Sequence, residues 1–200
     1  MKRLFSALAL AVVAALALTG CGNAADTTAS GSNNSSSSSS KADFNDADVK
    51  FTQSMIPHHE QAVVMAKMAA THAQSAQVKD LAAKIEAAQR PEIDTMSGWL
   101  KAWGQEQPSR GGMGMSGMDH GSDGMAGMMS DDDMRSLDSA KGTSFDQMFL
   151  TMMISHHEGA IEMAKTQQAD GKNADAVALA KKIEADQTAE LAQMKDMLKS

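Results

Sequence analysis

Apolar residues recur at helical spacing along most of the chain after residue 45. In the first such segment they fall at every third or fourth position from Val49 to Ala69, behind an acidic start at Asp46 and Asp48. The same spacing predicts four helices, over residues 46–71, 76–103, 146–168 and 175–199. The chain has no tyrosine, few other aromatic residues and no strand-like alternation. The pattern therefore predicts an all-α protein.

Short polar segments at residues 71–75 and 170–173 separate the helices of each predicted pair. Two prolines, Pro57 and Pro91, lie inside the helical pattern. Each removes a backbone donor, so it should either kink its helix or mark the start of a shorter one. In the second helix, the side expected to face inward carries Leu81, Ile85, Ile93, Met96, Trp99 and Leu100.

The chain contains an internal repeat. Residues 51–67 return as residues 149–165 with the same Phe, Met, His-His-Glu and Met-Ala-Lys positions, at a spacing of 98 residues. The spacing continues without a gap through residues 81–89 and 179–187. Each half thus contains a helical hairpin whose single apolar stripe is too small to be stable alone. Two such hairpins packed together predict a four-helix bundle with a pseudo-two-fold axis.

The first twenty residues have the layout of a bacterial secretion signal. Lys2 and Arg3 precede an apolar run at 4–18, which is shorter than the roughly 20 residues that a membrane-spanning helix needs. Cys21 follows Leu-Thr-Gly, as in a lipobox, where the cysteine becomes the lipidated first residue of the mature protein. We expect residues 1–20 to be a lipoprotein signal peptide. The alternative, an uncleaved anchor, also leaves the remaining chain outside the cytoplasm.

The rest of the chain divides by composition. Residues 21–43 are rich in serine and other small polar residues, which predicts a flexible tether. The bundle domain then spans residues 44–199. Its two hairpins occupy residues 44–104 and 144–199, and a linker rich in methionine and glycine joins them at residues 105–143.

Charge and cysteine content limit the partners. The formal net charge is −7, and removal of the signal would take away Lys2 and Arg3. An acidic chain of this kind disfavours nucleic acid and anionic lipid as partners and favours cations. Cys21 is the only cysteine, so its acylation would leave no thiol for a disulfide or a thiolate metal site. Any chemistry with a soft metal would then use methionine and histidine.

The repeated block places metal-binding side chains on one side of a helix. At about 100° per residue, Met55, His58, His59 and Met65 fall within an arc of about 120° around small Ala62. Thioethers with imidazoles favour Cu(I), with Ag(I) as a chemical mimic and Cu(II) reachable through the imidazoles. A single methionine such as Met65 would by itself indicate core packing. The second copy repeats the arc with Met153, His156, His157 and Met163.

The linker has a second group of soft ligands. Cu(I) can be wrapped by Met-x-Met and Met-x-x-Met sequences without preformed geometry. A low-complexity spacer and a methionine reservoir for oxidants are the alternatives. The candidate ligands in this tract are Met113, Met115, Met118 and His120.

An iron-dependent bundle enzyme is a further interpretation. Di-iron bundles use Glu-x-x-His on two helices, and the sequence contains no such motif. Glu86 and Glu184, and Glu92 and Glu190, could still bring carboxylates to the histidine pairs, and proximity of Glu86 to His58 would favour iron. The sequence also lacks the common nucleotide-binding and hydrolase motifs.

The repeated Phe-x-x-x-Met-x-x-His-His-Glu-x-Ala-x-x-Met-Ala-Lys, followed by Leu-Ala-x-Lys-Ile-Glu-Ala and by Met96 or Met194, resembles the bacterial domain-of-unknown-function family 305. The resemblance covers residues 44–199. It implies a ferritin-like helical bundle of the bacterial envelope, in a family often encoded with copper-handling genes, some of whose members bind copper through methionine and histidine. The resemblance gives the ligand role to Met55, His58, His59, Met65, Met153, His156, His157 and Met163.

Together these features predict an extracytoplasmic, lipid-anchored protein of the cell envelope that sequesters or transfers Cu(I), without catalytic residues. Its expected partners are the metal ion and, through Cys21, the membrane. A copper-handling partner protein and a second copy of the chain stay open. The rival interpretation is a metal-free interaction module, in which the methionine and histidine faces bind a partner helix.

Overall fold

The chain folds into helices joined by short polar turns. In the computed structural model, the described residues are 43–108 and 126–199. They form five helices: α1 Asp46–His72, α2 Ala76–Ala102, α3 Asp131–Ser139, α4 Gly142–Asp170 and α5 Ala174–Met197. α1 pairs with α2, α4 pairs with α5, and α1 contacts α4. The predicted all-α fold, a four-helix bundle made of two hairpins, is confirmed.

Side-chain caps explain where the hairpin helices begin. Asn45 starts α1 with a reciprocal capping box to Asp48, and Ser75 and Asn173 accept hydrogen bonds from the first turns of α2 and α5. α4 begins at Gly142, four residues before the predicted start, because Asp146 does not cap its own helix. Its carboxylate binds the other hairpin instead.

α1 and α2 continue through their prolines. Pro57 lies in the middle of α1 and Pro91 in the middle of α2. The alternative in which Pro57 begins a shorter helix is therefore wrong, because Asn45 already supplies the helix start. Each proline removes one backbone hydrogen bond from its helix. The helix continues because most of its stability comes from packing of its buried face.

α3 was not predicted, and it lies within the segment read as a linker. Ser130 and Asp133 form a capping box at its start. Met134 and Leu137 are its buried residues, and α3 contacts both α1 and α4. The linker thus adds a short helix to the bundle after its glycine-rich first half, most of which lies outside the described residues.

Two buried aspartates join the hairpins reciprocally. The Asp48 carboxylate of α1 accepts hydrogen bonds from the backbone amides of residues 172 and 173, in the turn of the second hairpin. The Asp146 carboxylate of α4 accepts from the amides of residues 74 and 75, in the turn of the first. These contacts are equivalent in the repeat, as the pseudo-two-fold arrangement predicts.

Candidate metal centre

The two histidine pairs meet where α1 and α4 cross. The helices run antiparallel: Asn45 donates to the Asp170 carbonyl at one end, and His72 contacts Phe145 at the other. Midway between these ends the rings of His58 and His156 lie 3.7 Å apart, centroid to centroid. The repeat therefore brings its two His-His motifs to a single place in the core, and all four histidines are fully buried.

The second histidine of each pair is held by a glutamate of its own hairpin. His59 Nε2 lies 2.9 Å from Glu92 Oε2 on α2, and His157 Nε2 lies 2.6 Å from Glu190 Oε2 on α5. A carboxylate behind a ring nitrogen fixes both the tautomer and the ring orientation, as it does for histidines that bind metals. The sequence offered two glutamate pairs as neighbours of the histidines, Glu86 with Glu184 and Glu92 with Glu190, and the structure places the second pair there.

Glu92 has a further partner, because Lys182 of α5 donates to its Oε1 at 2.9 Å. Burial raises the pKa of Glu92, but the hydrogen bonds from His59 and Lys182 outweigh this effect and lower it. Glu92 is therefore a carboxylate at neutral pH and an acceptor for the His59 N–H.

Three of the four histidines use one ring nitrogen in a hydrogen bond and leave the other without a partner among the described residues. His58 Nε2 donates to the Ala126 carbonyl at 3.2 Å. His58, His59 and His157 thus each use Nε2–H and leave a lone pair on Nδ1. Within the described part of the chain, the buried Nδ1 atoms of all four histidines, and also His156 Nε2, have no hydrogen-bond partner.

Burial keeps the first histidine of each pair neutral. It lowers the pKa of His58 from 6.5 to about 3, and it lowers the pKa of His156 well below 6.5. Neutral imidazole is the form that binds metals. Buried polar atoms are normally satisfied, whereas the Nδ1 atoms of the four histidines have no partner in the part of the chain that the structure describes, so each is available to an electrophile.

The methionines lie on both sides of the histidines. Met55, Met65 and Met153 are fully buried, and Met163 is partly exposed. Met65 and Met153 belong to one core cluster, whereas Met55 belongs to the other and Met163 packs against it. The predicted linker ligands Met113, Met115, Met118 and His120, and the predicted lipidation site Cys21, lie outside the described residues.

The remaining acidic residues are engaged elsewhere. Glu158 is exposed and pairs with Lys195 at 3.0 Å, and Glu86 pairs with Arg90 at 2.6 Å. Proximity of Glu86 to His58 would have favoured iron, but the hydrogen bonds of the Glu86 carboxylate are to Arg90. Across residues 43–108 and 126–199, no group of three or more histidine, cysteine, aspartate or glutamate side chains is placed to hold a metal ion.

The end of the linker covers the centre, a feature that sequence reasoning missed. The Gln61 side chain makes two hydrogen bonds of 2.8 Å to the backbone of Met129. The equivalent position in the second copy is Gly159, where a Cβ would lie 1.9 Å from the Ala126 carbonyl oxygen. The signal in the sequence was the difference between Gln61 and Gly159, one of several within the repeated block. Both residues contact the same stretch of linker.

Two grooves flank the crossing of α1 and α4. The first, here called the covered groove, is filled by α3, and the His72 Nε2 donates to the Asp138 carbonyl at 3.0 Å. The second, the open groove, lies between the N-terminal half of α1 and the C-terminal half of α4 and has a volume of about 360 Å³. Ala126 and Met163 both line the open groove.

The fold and the centre define a two-hairpin helical bundle with buried, paired histidines. The chain belongs to the family described as a domain of unknown function, DUF305, whose model matches residues 48–198. No curated protein matches the chain significantly.

Solved structures of similar proteins share this fold. A secreted DUF305 protein of Streptomyces coelicolor has 29% identity and a TM-score of 0.67, covering 76% of this chain and 91% of its own. A DUF305 fragment of Deinococcus radiodurans has 28% identity and a TM-score of 0.66, covering 77% and 96%. CopM in the Cu(II)-bound form has 32% identity and a TM-score of 0.64, covering 76% and 95%. CopM is also known in Cu(I)-bound and Ag-bound forms.

Proposed function

We propose that this protein binds copper, as Cu(I), between α1 and α4 and sequesters it or passes it on. The observation that carries the proposal is the burial of both histidine pairs where α1 and α4 cross, with unpartnered Nδ1 atoms and with the buried methionines Met55, Met65 and Met153 on the same two helices. The Cu(I), Cu(II) and Ag forms of the similar protein CopM support the same class of ion. The predicted ligands are Met55, His58, His59, Met65, Met153, His156, His157 and Met163.

The donor set explains the choice of metal. Thioether sulfur is a soft ligand that prefers Cu(I) and Ag(I), and imidazole extends the range to Cu(II). Glu92 and Glu190 would act from behind the rings, since each fixes Nε2–H and so turns the Nδ1 lone pair of its histidine inward.

The proposed location is the cell envelope. The secretion signal with Cys21 in a lipobox supports export and lipid anchoring, and the Streptomyces relative is described as secreted. Among the described residues, no helix is long and apolar enough to cross a membrane. The methionine-rich tract with Met113, Met115, Met118 and His120 would capture ions before they reach the bundle.

Metal loading tests the proposal. The full chain is loaded in parallel with Cu(I), Cu(II), Fe(II) and Zn(II), desalted and analysed by mass spectrometry. We expect retained copper, and we expect the His58→Gln/His156→Gln variant to lose it from the bundle with unchanged helicity by circular dichroism. His72→Gln is the matched control, because it removes an imidazole of α1 outside the centre. Equal copper retention by wild type and the double variant would overturn the bundle site.

Iron is the second candidate, and one observation favours it. Glu92 and Glu190 each lie within hydrogen-bonding distance of a buried histidine, so two imidazole and two carboxylate donors are close to the crossing. Retention of iron without copper in the same loading experiment would support this enzyme-type centre. Retention of no metal would favour the interaction module.

A further inference from the structure

A polar layer divides the apolar core of the bundle. On α2, one apolar cluster ends at Ile85 and the other begins at Ile93, and on α5 the corresponding boundary lies between Ile183 and Leu191. The histidine pairs lie at the same boundary on α1 and α4, since each pair has residues of the two clusters on either side. The side chains of this polar layer are His58, His59, His156, His157, Gln89, Gln187, Glu92 and Glu190.

The two glutamines of the polar layer are equivalent in the repeat, and both are buried. Gln89 and Gln187 are 98 residues apart, which is the spacing of the repeat, and they are only 2% and 3% exposed. Each lies three residues before the glutamate that binds a histidine of its own hairpin. Residues three apart are neighbours on one side of a helix, with their Cβ atoms about 5–6 Å apart. The glutamines therefore lie one turn from the carboxylates that orient His59 and His157.

The amide groups of these glutamines lack partners. Among the described residues, Gln89 Nε2 and Oε1 and Gln187 Oε1 are buried without a hydrogen bond. A buried amide without a partner destabilises a fold, whereas leucine or methionine of similar size would fill the space without that cost. Two such amides, at equivalent positions in the layer that contains the histidine pairs, indicate that they serve what the layer binds.

The charge of the polar layer differs from that of a di-iron bundle. Di-iron bundles bring glutamates from all four helices to the ions, and anionic oxygen favours hard divalent ions. Here α2 and α5 each carry Gln-x-x-Glu, and the glutamate of each motif is bound to Nε2 of a histidine. The other side chain of the motif has the size of a glutamate but no charge. The position that could offer a free carboxylate to an ion thus offers a neutral amide.

We infer that Gln89 and Gln187 determine the metal selectivity of the centre. This inference rests on the proposed function. The charge of Glu92 is already compensated by Lys182 at 2.9 Å, and the amides add no charge that could neutralise a buried divalent ion. The amides thereby disfavour divalent ions and leave the imidazole and thioether donors to select Cu(I) or Ag(I).

Replacing the amides by carboxylates tests the selectivity. The double variant Gln89→Glu/Gln187→Glu keeps the size of both side chains and adds two acids to the layer. The full-length protein is titrated with Zn(II), and separately with Cu(I) under anaerobic conditions, in competition with calibrated chelators. We expect the ratio of the Zn(II) Kd to the Cu(I) Kd to fall by roughly tenfold or more. The matched control is Gln77→Glu/Gln193→Glu, which makes the same change at exposed positions of the same two helices.

Methionine at the same positions tests whether they reach the ion. Methionine is close to glutamine in size, apolar and a good helix former, so this variant should fold even where two added acids prevent folding. We expect Gln89→Met/Gln187→Met to lower the Kd for Cu(I) roughly tenfold, because it adds two soft ligands. The exposed control is Gln77→Met/Gln193→Met, and circular dichroism identifies the variants that are folded.

The outcomes separate this inference from the proposed function. If either substitution at Gln89 and Gln187 gives a folded protein whose Kd values match those of its exposed control, the selectivity role is overturned, while copper retention by the wild type leaves the proposed function intact. If the glutamate variant does not fold, the methionine variant decides alone. Failure of the wild type to retain copper would overturn the proposed function and the selectivity role together.

Discussion

The two hairpins carry the same histidines and glutamates but hold them differently. In the first, Glu92 accepts from both His59 and Lys182, whereas in the second Glu190 pairs with His157. The first hairpin also binds the linker through Gln61, at the position where the second has Gly159.

The difference teaches which positions of a duplicated domain stay equal. Both hairpins contribute to one centre on the pseudo-two-fold axis, so the residues of that centre face the same requirement in each copy. The linker occurs once in the chain and cannot obey the two-fold relation. Residues that touch it, such as Gln61 and Gly159, must therefore differ.

Acid unfolding should test the part of the molecule that is equal in the two hairpins, which is the pair of buried histidine motifs. Because burial lowers the pKa of His58 from 6.5 to about 3 and that of His156 well below 6.5, the unfolded chain binds more protons than the folded one as pH falls below 6.5. The contribution of the neutral histidines to the free energy of unfolding is thus fully present above pH 6.5. It declines on acidification, and His58 alone should account for a loss of about 4 kcal/mol at pH 3.5. Urea unfolding of the metal-free protein across this range measures the decline.

The variants His58→Gln and His156→Gln should each flatten this dependence to a similar degree between pH 6 and pH 4. A double variant whose stability falls as steeply as that of the wild type would show that the paired rings are not the cause.

A side chain at Gly159 should disrupt the part in which the two hairpins differ, which is their contact with the linker. A Cβ there would lie 1.9 Å from the Ala126 carbonyl oxygen and 2.3 Å from its carbon, and both are backbone atoms that cannot rotate away. Gly159→Ala should therefore cost about 3 kcal/mol of unfolding free energy, measured by urea denaturation.

Gly98 provides the control, because it is a helical glycine of α2 with nothing within 4 Å of an added Cβ. Gly98→Ala should stabilise the protein by about 0.5 to 1 kcal/mol through helix propensity. Similar stability changes in both variants would contradict the tight contact with Ala126.

The reciprocal aspartates should differ in strength. Asp48 accepts hydrogen bonds from the Gln167 side chain and from the amides of residues 45, 172 and 173, whereas Asp146 accepts from the amides of residues 74 and 75. Asp48→Asn should cost about 2 kcal/mol and Asp146→Asn about 1 kcal/mol. Thermal or urea unfolding distinguishes them.

Asp46→Asn serves as the reference for the aspartate pair, since Asp46 is an exposed residue of the same first turn and should contribute about 0.5 kcal/mol through the helix dipole. The ranking fails if Asp46→Asn destabilises the protein as much as Asp48→Asn.

The smallest expected effect concerns the affinity for Cu(I) and the two glutamates that orient the histidines. If each carboxylate orients its histidine, Glu92→Gln and Glu190→Gln should each raise the Kd for Cu(I) roughly tenfold. Lys182→Met should raise the Kd less, because it removes only the hydrogen bond from Lys182 to Glu92 and leaves the Glu92 carboxylate in place. Competition with a calibrated Cu(I) chelator measures the values. Glu86→Gln on α2 should leave the Kd unchanged, and an equal effect there would contradict specific orientation.

The repeat made much of this molecule predictable. A constant spacing with helical periodicity fixes four helices, their pairing and the meeting of the two histidine motifs, because equivalent segments must be used equivalently. It named Glu92 and Glu190 as candidate neighbours of the histidines, but Glu86 and Glu184 equally, and only the structure distinguishes the two pairs. These inferences depend on local period and symmetry, which a sequence displays directly.

The features outside the repeat were harder to predict. α3 has only Met134 and Leu137 as buried residues in an otherwise polar segment, so its apolar pattern is too short to stand out. The contact of Ala126 with His58 joins residues that are 68 positions apart and involves a backbone carbonyl, which carries no side-chain signal. The choice of Nδ1 as the free nitrogen likewise requires three-dimensional partners.

The reciprocal binding of Asp48 and Asp146 has a consequence for the origin of the bundle. Each hairpin offers an accepting carboxylate near the start of its first helix and donating backbone amides in its turn, so one hairpin is complementary to a copy of itself. Such a surface is isologous, and two identical hairpins would close around a true two-fold axis. The present chain has the arrangement of such a dimer with its two hairpins joined, and the connecting segment replaces bimolecular association by a high effective concentration.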